Sequence, residues 1–200
     1  MKFLGLFLFL VFLLSFYRKK HTQHQENVEE SFWTRENQAN HTRRKDISGL
    51  PYITIPLEKF PMGICDNSEL KESEQALTEL SEKKILNLCN QTNTELKLQY
   101  GPANLTALSQ CDQNYVSLCR TLVSYGECLL KLDFKKEART VLEFGIECGT
   151  DLSKNYLLLA DIYLLSADQT SFDRLRERAL ALDSPMKTSI LKHLEEKATA

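Results

Sequence analysis

Residues 119–152 read CRTLVSYGECLLKLDFKKEARTVLEFGIECGTDL, and residues 153–185 read SKNYLLLADIYLLSADQTSFDRLRERALALDSP. Set one above the other, the lines agree in side-chain size at places 34 residues apart: Leu122 with Tyr156, Tyr125 with Leu159, Gly126 with Ala160, Leu129 with Tyr163, and Gly145 with Ala179. Leu122, Tyr125 and Leu129 stand three and four apart, which puts them on one face of a helix. Tyr156, Leu159 and Tyr163 repeat that face. A small residue where helices cross lets the backbones approach, and a Leu there holds them apart. The stretch therefore predicts two antiparallel helix pairs, with Gly126 facing Gly145 or its neighbours and Ala160 facing Ala179. The alternative is an ordinary helical bundle with a chance period, and the five agreements in size weigh against it.

A 34-residue helix–turn–helix period is similar to that of the tetratricopeptide repeat (TPR) family. The second unit ends Arg178-Ala-Leu-Ala-Leu-Asp-Ser-Pro185, which resembles the family's helix ending with Pro just beyond it. The likeness is divergent. Phe172 stands where the first unit has the small Ala138, and the turn Leu132-Asp133-Phe134-Lys135 lacks a Gly. The resemblance implies an all-α, right-handed stack of antiparallel pairs over roughly Ser68 to Ala198, in which the first helix of each pair lines a concave, partner-binding face. Carried over by the register, that face comprises Arg120, Val123, Glu127, Leu130 and Lys131, then Lys154, Leu157, Asp161, Leu164 and Leu165. Arg120 and Lys154 keep one charge sign across the period, and Glu127 and Asp161 keep the other. The expected occupant is an extended segment of a protein or peptide partner, or the chain's own residues 50–61.

Phe3 to Phe16 is apolar except for Ser15, and Arg18, Lys19 and Lys20 follow. At ~1.5 Å per residue the run falls short of a ~30 Å hydrocarbon core, so Met1, Tyr17 and snorkelling Lys side chains must help. A signal peptide has an apolar run of this size, but its positive cluster precedes the run and a small-x-small cleavage site follows. Residues 1–20 therefore read as an uncleaved transmembrane anchor. The three following cations outnumber the α-amino group and Lys2, which places the C-terminal bulk in the cytoplasm of a single-pass cell-membrane protein.

Residues 21–48 form a polar juxtamembrane tether, either a solvated helix or a flexible link. Phe32 and Trp33 interrupt it, as a docking patch or as an aromatic pair at the membrane surface or on the domain. Residues 49–66 are punctuated by Leu50-Pro51, Ile55-Pro56 and Phe60-Pro61. Residues before Pro are pushed out of the helical region, so this segment is extended. It either packs on its own domain or presents a motif to a partner. Anchor, Phe-Trp run, Pro-punctuated segment and TPR-like end together resemble uncharacterised membrane proteins of Gram-positive anaerobic bacteria, a likeness that brings no activity with it.

Residues 67–200 form the helical domain. Ser68 is the expected N-cap of a helix whose stripe runs Leu70, Leu77, Leu80, Lys84 and Leu88. Glu95 to Tyr100 forms a turn or two of helix closed by Gly101 and Pro102. A helix over Ala103 to Gln110 follows, and Asp112 caps the next. Met186, Ile190, Leu191 and Leu194 give a last amphipathic helix that covers the open end of the stack.

The chain has 7 Gly, 5 Pro, 42% apolar residues and a net charge of −2, which suits a helical protein and argues against a nucleic-acid binder. Six Cys lie at 65, 89, 111, 119, 128 and 148 with no C-x-x-C spacing, and the last five fall in expected helices as small core residues. His21, His24, His41 and His193 have no carboxylates placed beside them and read as surface residues. No phosphate-binding, nucleophile-elbow or zinc-protease motif is present. Asn40, Asn90 and Asn104 head glycosylation sequons, which matter only in a secretory pathway. The expectation is therefore a membrane-tethered interaction scaffold, not an enzyme, with no cofactor, metal, nucleic acid or small-molecule substrate. The other readings are an extracytoplasmic assembly or binding factor of the same fold, and an enzyme without a recognisable motif.

Overall fold

The computed structural model describes residue 12 and residues 29–199. Apart from Phe12, the anchor at residues 1–20 and the tether up to residue 28 lie outside the described residues. Those described are all-helical: α1 (29–40), α2 (Ser68–Ser81), α3 (Asn93–Tyr100), α4 (Leu105–Lys131), α5 (Lys135–Glu147), α6 (Ser153–Leu165), α7 (Gln169–Leu180) and α8 (Lys187–Ala198). Short 3-10 turns stand at Leu57–Lys59 and Pro102–Asn104. Among the described residues no helix is long and apolar enough to cross a membrane.

The described residues fall into two compact units. One joins the chain up to Ile47 with Thr92–Leu105. Here α1 is half of a helix pair: Ala39 is fully buried, and Glu36 accepts from Thr94 Oγ1 at 2.8 Å and ion-pairs with Lys97. α3 begins with a capping box between Thr92 and Glu95, which satisfies backbone donors that the first turn leaves free. Asn104, 1% exposed, donates to the Lys45 and Tyr100 carbonyls, each at 2.7 Å, and accepts from Arg44 Nε. Gly101 has φ +88°, and a Cβ there would lie 2.7 Å from the Arg43 carbonyl oxygen, so glycine is required.

The other unit joins Ser48–Gln91 with Thr106–Ala200. The Pro-punctuated segment is built into its core. Ile55 and Phe60 are buried, and Phe60 meets Phe144 of α5 edge-on at 5.5 Å. The segment thus packs on its own domain, where Phe60 meets α5 and the Pro61 carbonyl accepts from Tyr125 of α4. α2 is capped by Asn67, one residue before the expected Ser68, through an acceptor bond from Leu70 N. It ends at Ser81 rather than continuing to Leu88. Beyond it Ile85, Leu86 and Leu88 are buried in non-helical backbone, held by Ile53 N to Ile85 O, Leu86 N to Cys111 O and Leu88 N to Asp112 Oδ1. An apolar run marks burial without choosing helix or strand, and here Ile53 N and main-chain and side-chain groups of α4 supply the backbone partners a helix would have supplied. Asp112 is accordingly no cap: α4 runs through it unbroken for 27 residues.

From α4 onward the backbone recurs with the side chains. α4 ends at Lys131 and α6 at Leu165; α5 starts at Lys135 and α7 at Gln169. The turn between each pair carries one left-handed residue, Asp133 (φ 64°) or Ala167 (φ 53°). Phe134 N donates to Leu129 O and Asp168 N to Tyr163 O, both at 2.9 Å. The turn needs no Gly because a short side chain is accepted in the left-handed region at modest cost. Leu122, Tyr125, Leu129, Tyr156, Leu159 and Tyr163 all belong to one core, with Phe172, Ile190 and Leu194. Gly126 packs against Leu142, one turn before Gly145; a Cβ on it would lie 2.7 Å from Leu142 Cγ. Gly145 faces away from it, toward Asn155 of α6, whose Oδ1 would be 2.8 Å from an added Cβ.

Candidate functional site

α4 and α6 present the residues that the register selects. Lys154 of α6 reaches Glu127 of α4 at 2.7 Å, so one acidic and one basic place neutralise each other between the pairs. Asp161 ion-pairs with Lys197 of α8, and Lys131 lies 3.8 Å from Glu69 of α2. Arg120 is exposed and makes no ion pair among the described residues. Val123 is buried, Leu130, Leu157 and Leu164 are half-buried, and Leu165 is 77% exposed. The face is thus mixed: an ion-paired middle, a free cation at Arg120, and an open apolar side chain at Leu165.

Sequence reasoning missed a cleft of about 450 Å³ between α5, α6 and α7. Leu159 and Tyr163 of α6 contribute to its lining, with Ile146 of α5 and Leu175 of α7. Arg139 is pinned beside it. Its Nε donates to Glu143 at 2.8 Å, Nη1 to Asp168 at 2.9 Å and Nη2 to Ser171 Oγ at 3.1 Å, with the guanidinium 4.8 Å from the Tyr163 ring centroid. Burial opposes the Arg139 charge, but the Glu143 and Asp168 carboxylates more than offset it and hold its pKa above the ordinary value. Burial, then the 2.7 Å bond to Glu143, raises the Tyr163 hydroxyl. Hydrogen bonds from Ser171, then Arg139, hold Asp168 below the usual carboxylate range. Arg174 and Arg178 also line the cleft, and neither makes a hydrogen bond or an ion pair among the described residues. Their spacing of four, like that of Glu143 and Glu147, was readable as one helix face. That the two faces meet was not.

Burial raises the thiols of Cys111, Cys119 and Cys128, and takes Cys89 to about 11 and Cys148 to about 12, so these cysteines are protonated at neutral pH. Cys89 departs from its expected place: it lies in an exposed turn, because α2 has already ended. Among the described residues no group of three His, Cys, Asp or Glu could hold a metal ion. Of the sequons, Asn40 and Asn90 are exposed while Asn104 is enclosed and hydrogen-bonded. The chain matches no family model, no curated protein and no solved structure.

Proposed function

We propose that this chain is a membrane-tethered protein-interaction module of divergent TPR-like helix pairs, which binds a protein or peptide segment on the face formed by α4 and α6. One observation carries the reading. The 34-residue recurrence extends from side-chain size to the turns themselves, with left-handed residues at Asp133 and Ala167 and the same closing hydrogen bond after each. A repeat in backbone as well as packing is what stacked helix pairs produce. Stacked pairs offer an extended face whose ligand contacts come from the first helix of each pair. Arg120, Val123, Glu127, Lys131, Lys154, Leu157, Asp161 and Leu165 supply that face, and Arg120 and Leu165 are its most available groups. The raised thiols argue against a cysteine nucleophile. Residues 1–20 are the membrane anchor and residues 21–48 the tether, with the helical domain on the cytoplasmic side of the cell membrane.

The test is a photo-crosslinking amino acid placed in turn at Arg120, Leu157 and Leu165, with Leu180 of α7 as the control position. Crosslinks to one partner from the first three sites, and none from Leu180, are expected in membranes. Equal yield at Leu180, or none at the three, would falsify the binding face. A reporter fused after Ala200 tests the orientation.

A further inference from the structure

We propose that the cleft between α5, α6 and α7 is a second binding site, which takes an acidic peptide segment whose carboxylates pair with Arg174 and Arg178. This goes beyond the α4–α6 face and shares no residue with it. The charge ledger of the cleft selects the ligand. Arg139 is spent on Glu143, Asp168 and Ser171, and Arg176 of the same α7 helix is taken by Glu195 at 3.5 Å. Arg174 and Arg178 remain without a partner among the described residues, one turn apart on α7. Side chains four apart on a helix have Cβ atoms roughly 6 Å from each other, and a guanidinium fork matches a carboxylate bidentately.

Solvated surface arginines are common, but these two edge a cleft of about 450 Å³ with apolar lining from Leu159, Leu175 and Ile146. That volume lies within the roughly 300–1,000 Å³ of ordinary ligand sites. It has room for an apolar side chain between the acidic groups. Glu147 on the α5 wall also lacks a partner among the described residues and repels carboxylates, so the acidic groups are directed to the α7 wall. The ligand is therefore a segment alternating acidic and aliphatic residues.

The experiment uses the full chain in detergent and a probe, Glu-Leu-Glu-Glu-Leu-Glu-amide with fluorescein on its N-terminal amine, read by anisotropy. The wild-type chain binds, and binding weakens with salt. The double variant Arg174→Gln, Arg178→Gln, with both positions exposed, loses roughly tenfold or more in affinity, as two charge-assisted contacts require. Glu147→Gln tightens binding by about threefold, as removal of a like charge predicts. Lys83→Gln, at an exposed cation in neither proposed site, leaves it unchanged. The proposal is overturned if the probe does not bind, if the double variant binds like wild type, if Lys83→Gln loses as much, or if a Gln-for-Glu probe binds equally. Displacement of the probe by equimolar inorganic phosphate would also overturn it, by making the site one for phosphate.

Discussion

Asp133 and Ala167 stand 34 residues apart and share a left-handed backbone, with φ of 64° and 53°. A non-glycine residue there costs roughly 1–2 kcal/mol in the folded state, and glycine removes that cost while adding freedom to the unfolded chain. Ala167→Gly should therefore stabilise the chain by roughly 0.5–1 kcal/mol. Asp133→Gly should gain less, because it also gives up the exposed 3.0 Å pair with Lys135. Thermal melts of both variants check this, and a lower melting temperature for Ala167→Gly would contradict the role assigned to the turn.

Gly126 has no room for a side chain against Leu142, which is itself fully buried. Gly126→Leu should overpack this crossing and cost roughly 1–3 kcal/mol or more. Leu142→Ala in the Gly126→Leu background should recover part of the loss, since it empties the space the new side chain enters. Denaturant titration of the two single variants and the double separates the two costs. Additive losses would show that the residues do not share the contact.

The Tyr125 hydroxyl lies 3.0 Å from the Pro61 carbonyl oxygen and 3.2 Å from Glu74, whose carboxylate also accepts from Gly63 N at 2.8 Å. This network fixes the end of the Pro-punctuated segment to α2 and α4. Tyr125→Phe should cost roughly 0.5–1.5 kcal/mol. It should also quicken limited proteolysis after Lys59, the site nearest the released contact. Unchanged cleavage there would mean that Phe60 and Phe144 alone hold the segment.

Hydrogen bonds from Lys97, then Thr94, lower the pKa of Glu36, and those from Ser171, then Arg139, lower that of Asp168. A carboxylate whose folded pKa lies below its unfolded value binds fewer protons when folded. Its contribution is fully present above the ordinary values of 4.5 and 3.8 and disappears as the pH falls through the lowered folded values. Glu36→Gln and Asp168→Asn should each reduce the melting temperature at pH 7. The gap to wild type should close once acid has protonated both carboxyls in the wild-type chain. A gap that stays constant with pH would assign the loss to packing instead.

The period of the sequence by itself determined that residues 119–185 are helical and where the turns between their helices fall. A helical stripe is a local geometric fact, and Leu122, Tyr125 and Leu129 recur as Tyr156, Leu159 and Tyr163. Tertiary structure decided the elements whose backbone partners lie far along the chain. Ile85 and Leu88 read as helix by their apolar spacing, but Asp112 and Asn114 of α4 accept from Leu88 N and donate to Lys84 O, and that stabilises non-helical backbone. It also decided Gly145, whose smallness admits Asn155 of the next helix rather than Gly126. The binding face and the cleft divide in the same way. Spacing alone selected the row from Arg120 to Leu165, whereas the pairing of Glu127 with Lys154 required the two helices side by side. Arg174 and Arg178 could be placed on one face from sequence. That they remain free among the described residues, while Arg139 and Arg176 do not, depended on which carboxylates the fold brought within reach.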